Sequence, residues 1–173
     1  MQKSRNSQIT TIVCVALLVA LNIIFTRFLS ITTPILRIGF GFIPVAIASI
    51  AFGPFWGAVC GAVGDVLGMA LWPSGEFTLG FTITAALSGI VFGLLLHGRY
   101  SLKRVILASV IVCVLLNLCL DTFWLSILMD KAYFVMLPVR IVKCVLNIPI
   151  YTVIIHILWS KALCHVQVLN ASR

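Results

Sequence analysis

Residues 53–68 read GPFWGAVCGAVGDVLG, and this stretch decides the fold. Gly53, Gly57, Gly61, Gly64 and Gly68 recur at spacings of four, four, three and four. That spacing sets them on one ridge of an α-helix. Nearly every other position is apolar. In lipid, small residues at this spacing let helix backbones approach closely, where packing rather than hydrophobicity drives association. The stretch predicts a membrane helix packed inside a bundle. Gly89 and Gly93 repeat the device on a later helix. One residue interrupts the apolar run: Asp65.

The rest of the chain agrees. It is 62% hydrophobic and 9% charged, with a mean hydropathy of +1.20. Soluble domains are about 45–50% apolar and about 25% charged. A spanning helix takes about 20 residues, so six spans use roughly 120 of the chain's residues. The remainder is enough for short loops, which predicts one transmembrane domain over residues 1–173. A soluble nucleotide-binding or catalytic domain has no room. The net charge of +8 does not point to nucleic acid, because the basic residues form no stripe interleaved with aromatics. They fit loop ends and juxtamembrane positions beside anionic lipid.

Six helices are predicted. The first runs from about Ile9 to Leu29; its apolar run is too long for a signal-peptide core and no cleavage pattern follows. A loop over residues 30–39 has Pro34 and Gly39 as breakers. A short second helix covers Phe42 to Phe52, and Gly53-Pro54 ends it and opens the third, which reaches Leu71. The fourth spans Phe81 to Leu96, the fifth Val105 to Leu128 and the sixth Val135 to Leu163. Basic residues set the orientation. With both termini cytoplasmic, Lys3, Arg5, Arg99, Lys103, Arg104, Lys161 and Arg173 lie inside, against Arg27, Arg37 and Lys131 outside.

Six cysteines, Cys14, Cys60, Cys113, Cys119, Cys144 and Cys164, lie mostly in apolar runs without a CxxC, and read as packing residues. His97, His156 and His165 lack metal-ligand spacing, so no metal is expected. No GxSxG, HExxH or P-loop pattern occurs, so no catalytic constellation and no cofactor is implied.

Four charged residues fall within apolar helical stretches: Asp65, Asp121, Arg140 and Lys143. A charge at membrane depth is costly unless it meets a partner or a water-filled cavity. Asp121 and Arg140 lie nine or ten residues either side of the turn around Asp130-Lys131. Both therefore sit roughly 15 Å below it. Asn117, Asp121 and Trp124 are spaced i, i+4, i+7, and Arg140, Lys143 and Asn147 i, i+3, i+7. Two polar faces at one depth on adjacent antiparallel helices should meet. They form either a structural ion pair or the wall of a pocket.

Strings across the chain then point to a family. They are Arg27-Phe-Leu-Ser-Ile31, Thr33-Pro34, Arg37-Ile-Gly-Phe-Gly-Phe-Ile-Pro44, Phe52-Gly-Pro54, the glycine run to Asp65, Gly68 and Gly80-Phe-Thr82. Asn117, Thr122-Phe-Trp-Leu125, and Arg140 with Lys143 ahead of Pro149 continue them. The chain resembles the substrate-binding S components of energy-coupling-factor (ECF) vitamin transporters, most of all the folate-specific members. The resemblance implies an all-α six-helix transmembrane bundle that captures a vitamin from outside. It implies docking on a transmembrane coupling protein driven by two cytoplasmic ATPases, in the plasma membrane of a prokaryote, and no enzymatic activity of its own. The family docks through an AxxxA in its first helix, which Ala16 and Ala20 match. Asp121 stands where Asn is expected in folate members.

A folate asks a pocket for cations facing its carboxylates, aromatic faces and amide or carboxylate partners for its pterin, and apolar walls between. The candidate site residues are Arg27, Arg37, Phe40, Trp72, Glu76, Phe77, Phe81, Asp121, Trp124, Arg140, Lys143 and Asn147. Asp65 is read as structural. The rival readings are an S component for another vitamin or heterocycle, a small intramembrane enzyme acting on lipid, and a structural subunit.

Overall fold

The computed structural model describes residues 2–29, 31–32, 37–71, 79–98, 101–129 and 133–160. Its elements in chain order are α1 (Gln2–Arg27), β1 (Ile31–Thr32), β2 (Arg37–Ile38), α2 (Phe42–Phe52), α3 (Pro54–Leu71) and α4 (Leu79–Leu96). Then come α5 (Leu102–Ile111), a π-helical segment (Val112–Leu120), α6 (Asp121–Met129) and α7 (Tyr133–Leu158). The stretches Gln8–Arg27, Pro54–Leu71, Leu79–Leu96, Leu102–Trp124 and Arg140–Leu158 are long and apolar enough to cross a bilayer. α2, with eleven residues, is short for that. At 1.5 Å per residue it reaches about 16 Å, half of a hydrocarbon core.

Three details differ from the sequence reading. α1 begins at Gln2, ahead of the apolar run, because polar residues there extend the helix outside the lipid-compatible part. The loop after α1 holds a small antiparallel ladder pairing Ile31 with Ile38 and Thr32 with Arg37. And the fifth column is not α-helical throughout. Between Val112 and Leu120 it widens to π geometry, so that the Asp121 amide donates to the Leu116 carbonyl, five residues back.

The break between α2 and α3 follows from its two residues. Gly53 adopts φ +99°, a left-handed conformation that favours glycine. Its N–H donates to the Ser49 carbonyl at 3.0 Å and closes α2. Pro54, lacking an N–H, then occupies the first position of α3, where that donor has no helical partner anyway.

α3 is the hub of the first half. A Cβ on Gly57 would strike the Ser49 side chain and, at 2.9 Å, the Gly89 carbonyl. One on Gly61 would strike the Ala85 carbonyl, and one on Gly93 the backbone of Pro54. α3 and α4 therefore meet backbone to backbone. Further along the same ridge, Gly64 is covered by the Asn22 side chain, and Gly68 by the Arg27 guanidinium at 3.4 Å. Asn22, buried in α1, also donates from Nδ2 to the Cys60 carbonyl at 3.4 Å. Val15, Val19 and Asn22 form the buried face of α1, whereas Ala16 and Ala20 are exposed on it.

The second half packs around a core of Ile50, Phe92, Leu96, Val105, Cys113 and Ile155, with Tyr151 stacked on Phe42 at 3.7 Å. His97 Nδ1 lies 2.9 Å from the Ile50 carbonyl and ties the end of α4 to α2. Cys60, Cys113 and Cys144 are buried thiols; Cys60 packs in the apolar cluster with Val15, Val19 and Val45, while Cys113 and Cys144 border polar residues of the fifth column and α7.

Candidate functional site

α7 presents Arg140, Lys143, Cys144 and Asn147 toward the π segment, which answers with Cys113, Asn117 and Leu118. These seven residues line a narrow crevice of about 10 Å³, room for about one water molecule. That is far below the range of about 300–1,000 Å³ usual for small-molecule sites. Arg140 Nη1 donates to the Asn117 carbonyl at 3.3 Å and reaches the Thr122 hydroxyl at 3.5 Å. The π register makes the first of these possible. It passes the Asp121 amide to Leu116, so that amide is not spent on Asn117, its usual α-helical acceptor. π segments of this kind are frequent at functional sites.

Asp121 lies within electrostatic reach of Arg140. Among the charges acting on it Arg140 is foremost, followed by Lys143 and then Asp65. The Thr84 hydroxyl of α4 serves its carboxylate. Two residues before Thr84, Thr82 donates to Asp65 Oδ2 at 2.7 Å, which binds α3 to α4 and supports the structural reading of Asp65. Trp124 lies flat against α4 where Gly80 has no side chain; a Cβ there would enter the indole.

Among the described residues, Ser109 Oγ, Asn147 Oδ1 and Trp124 Nε1 are buried polar atoms without a hydrogen-bond partner. Asn147 is 3% exposed. Buried polar groups are nearly always satisfied, so atoms like these mark positions that a bound molecule or water completes.

The structure thus joins Arg140, Lys143 and Asn147 in one wall, and sets Asp121 and Trp124 on the adjoining α6. Asn117 faces α7, and Asp121, on which Arg140 and Lys143 of α7 act, also takes the Thr84 hydroxyl of α4. Arg27 lies on Gly68 at the seam of α1 and α3 and is not part of the crevice lining. Phe40, ahead of α2, and Phe81, on α4, are half-buried and also lie outside that lining. Arg37 is in β2. Trp72, Glu76 and Phe77 fall outside the described residues.

The sequence reading left Asn117, Thr84 and Thr122 off the site. Asn117 had a signal, its spacing from Asp121. The two threonines had none, since isolated hydroxyls are ordinary in membrane helices.

The profile of the family described as "ECF transporter, substrate-specific component" matches residues 10–159. The chain belongs to this family. It is a multi-pass S component of the prokaryotic plasma membrane. The folate transporter FolT of Clostridium novyi (strain NT) is 42% identical over 164 residues, spanning 94% of this S component and 95% of the relative. FolT of Leuconostoc mesenteroides subsp. mesenteroides is 29% identical over 145 residues, 80% of this chain and 78% of its own. Among solved structures, the crystal structure of FolT bound with folic acid superposes with a TM-score of 0.76 at 36% identity, covering 82% of this chain and 86% of that one. The S component of a bacterial ECF transporter superposes with a TM-score of 0.65 at 19% identity, over 91% and 98%, and shares the fold.

Proposed function

We propose that this S component binds folate with high affinity outside the cell and delivers it through an ECF coupling module for ATP-driven uptake. The observation that carries this reading is the wall of Arg140, Lys143, Asn117 and Asn147 across from Asp121, in a chain 42% identical to a folate transporter. Fixed cations at membrane depth suit a dianionic glutamyl tail. Amide and carboxylate groups suit a pterin. The pocket includes residues beyond the crevice, among them the aromatic candidates Phe81 and Trp124.

Both termini face the cytoplasm in this proposal, in keeping with the basic residues. The partners are a transmembrane coupling protein and two cytoplasmic ATPases, which hydrolyse the ATP. Exposure of Ala16 and Ala20 favours them as the docking surface over internal packing.

Equilibrium titration of the purified chain with folic acid, riboflavin, thiamine and biotin tests the ligand. Saturable binding of folic acid alone is expected. Preference for another of the four overturns the substrate and keeps the family. A single cysteine added at either terminus should resist impermeant maleimide applied to intact cells; labelling from outside overturns the orientation.

A further inference from the structure

Two thiols meet across the crevice. Cys113 stands on the π segment and Cys144 on α7, and both border a gap with room for about one water molecule. The register brings them level. Arg140 reaches the Asn117 carbonyl at 3.3 Å. Cys113 lies four residues before Asn117 and Cys144 four residues after Arg140, so on antiparallel helices each is about one turn along in the same direction. The two belong to one buried cluster, their thiols hydrogen-bond to each other, and both are free. The other described cysteines are placed differently. Cys60 lies in the separate cluster of α1, α2 and α3, and Cys14 and Cys119 are exposed.

Thiols in hydrogen-bond contact have little distance left to close to a disulfide. Buried thiols are inert to bulky reagents, so the oxidant must be small and uncharged, of the peroxide class. Cys144 keeps a 6% exposed edge and Cys113 has none, which makes Cys144 the entry point. Its thiol and hydrogen peroxide give a sulfenic acid and one water. The Cys113 sulfur then attacks the Cys144 sulfur. The S–S bond forms, the S–O bond breaks, and the leaving hydroxide takes the Cys113 proton as a second water. Two electrons and two hydrogens pass from the pair to the peroxide.

We infer that Cys113 and Cys144 are a redox-sensitive pair, which a peroxide converts to a disulfide that bolts the π segment to α7 and stops folate capture. The effect on capture rests on the folate reading; the bond does not. The gap between the two elements is far smaller than a small-molecule site. A ligand that uses this wall must part it from its neighbour. The hydrogen bond from Arg140 to Asn117 can open and close for that. A covalent bond one turn away cannot, and it would hold the two elements in the closed arrangement until a thiol reduces it.

The test treats the purified full chain with hydrogen peroxide and reads the bond and the binding separately. After denaturation, a mass-tagged maleimide should label all but two of the six cysteines, and peptide mapping should find Cys113 joined to Cys144. Titration with folic acid should show saturable binding before oxidation, its loss afterwards and its return with dithiothreitol. Cys113→Ser, whatever its own affinity, should bind folic acid equally with and without peroxide. Labelling of all six cysteines overturns the inference, as does a bridge made through Cys119. So does a bridged chain that binds folic acid as the reduced chain does, or an equal loss in peroxide-treated Cys113→Ser. Should Cys113→Ser not fold, Cys144→Ala takes its place, and failure of dithiothreitol to restore wild-type binding overturns the inference by itself. A reduced chain that binds no folic acid removes the proposed function and the effect on capture with it, while the label count still decides the bond.

Discussion

The two halves of this bundle are held together by different chemistry. In α1 to α4 the decisive contacts are backbone against backbone: Gly57 on Gly89, Gly61 on the Ala85 carbonyl, Gly93 on Pro54. In the π segment, α6 and α7 they are polar side chains: Arg140 on Asn117 and Thr122, Asp121 facing Arg140 and Thr84. Lipid explains the division. Apolar side chains gain nothing by leaving one hydrocarbon environment for another, so close packing carries stability. Charged side chains are expensive there and persist where a site needs them. In the function proposed above, the first half serves as scaffold and docking face and the second as ligand wall.

Four measurements break or sharpen that contrast. The largest effect is expected in the scaffold. Gly57→Leu places a branched side chain where even a Cβ meets Ser49 and the Gly89 carbonyl. Overpacking costs about 1–3 kcal/mol when neighbours can shift, and here one neighbour is backbone. Loss of a monodisperse, folded protein in size-exclusion chromatography is expected. Survival with an unchanged melting temperature would remove close approach as the stabilising device.

Next come Ala16→Trp and Ala20→Trp. Both positions are exposed on the chain alone. Either should abolish folate uptake by cells carrying the complete transporter, yet leave binding by the isolated chain within about twofold, since surface substitutions usually shift energies by about 0.5 kcal/mol or less. Parallel loss of binding would assign these alanines to the fold.

Arg140→Ala tests the polar half. Losing one charge-assisted contact costs about 1.5–3 kcal/mol, or roughly ten- to over a hundredfold in affinity. Titration should show that loss while the melting temperature changes little. Should Arg140 act only as the structural partner of Asp121, the double variant Asp121→Asn with Arg140→Gln would regain wild-type affinity, because no unpaired buried charge remains. A double variant that stays deficient keeps Arg140 in the site.

The smallest effect is expected at Ser49→Ala. Its hydroxyl donates within reach of the Val45 carbonyl at 2.7 Å and the Gly89 carbonyl at 2.9 Å. Hydrogen bonds between membrane helices average about 0.6 kcal/mol, so a fall of a degree or two in melting temperature is expected. A loss as severe as that of Gly57→Leu would mean that the hydrogen bond from α2 to α4, and not backbone contact, holds this junction.

Much of this was legible before the structure, for definite reasons. Hydropathy alone marks the six helical columns, and Gly53-Pro54 marks the break between α2 and α3. Counting residues from the α6–α7 turn puts Asp121 level with Arg140, because helical rise is nearly constant. The face of Arg140, Lys143 and Asn147 survives as drawn, since α7 keeps α-helical register past all three. The π register between Val112 and Leu120 was not legible, because nothing in VCVLLNLCL announces a segment that bonds five residues back. What the sequence did not show is that the Arg27 guanidinium lies on Gly68, at the seam of α1 and α3.

Taken alone, the sequence determined that this chain lives in lipid, how many helices it makes, which of them pack closely and which carry charge. Those follow from composition and periodicity, which are local. Only the tertiary structure decided which helix each small or polar residue meets. Gly64 and Gly68 look like Gly57 and Gly61 in the sequence, yet they receive Asn22 and Arg27 of α1 while the others receive the backbone of α4. Thr84 looks like any helical threonine until α6 brings Asp121 to it. A partner is a property of two segments and their relative placement. That placement is set by backbone close approach and by a π register, and neither is written in the residues of one segment.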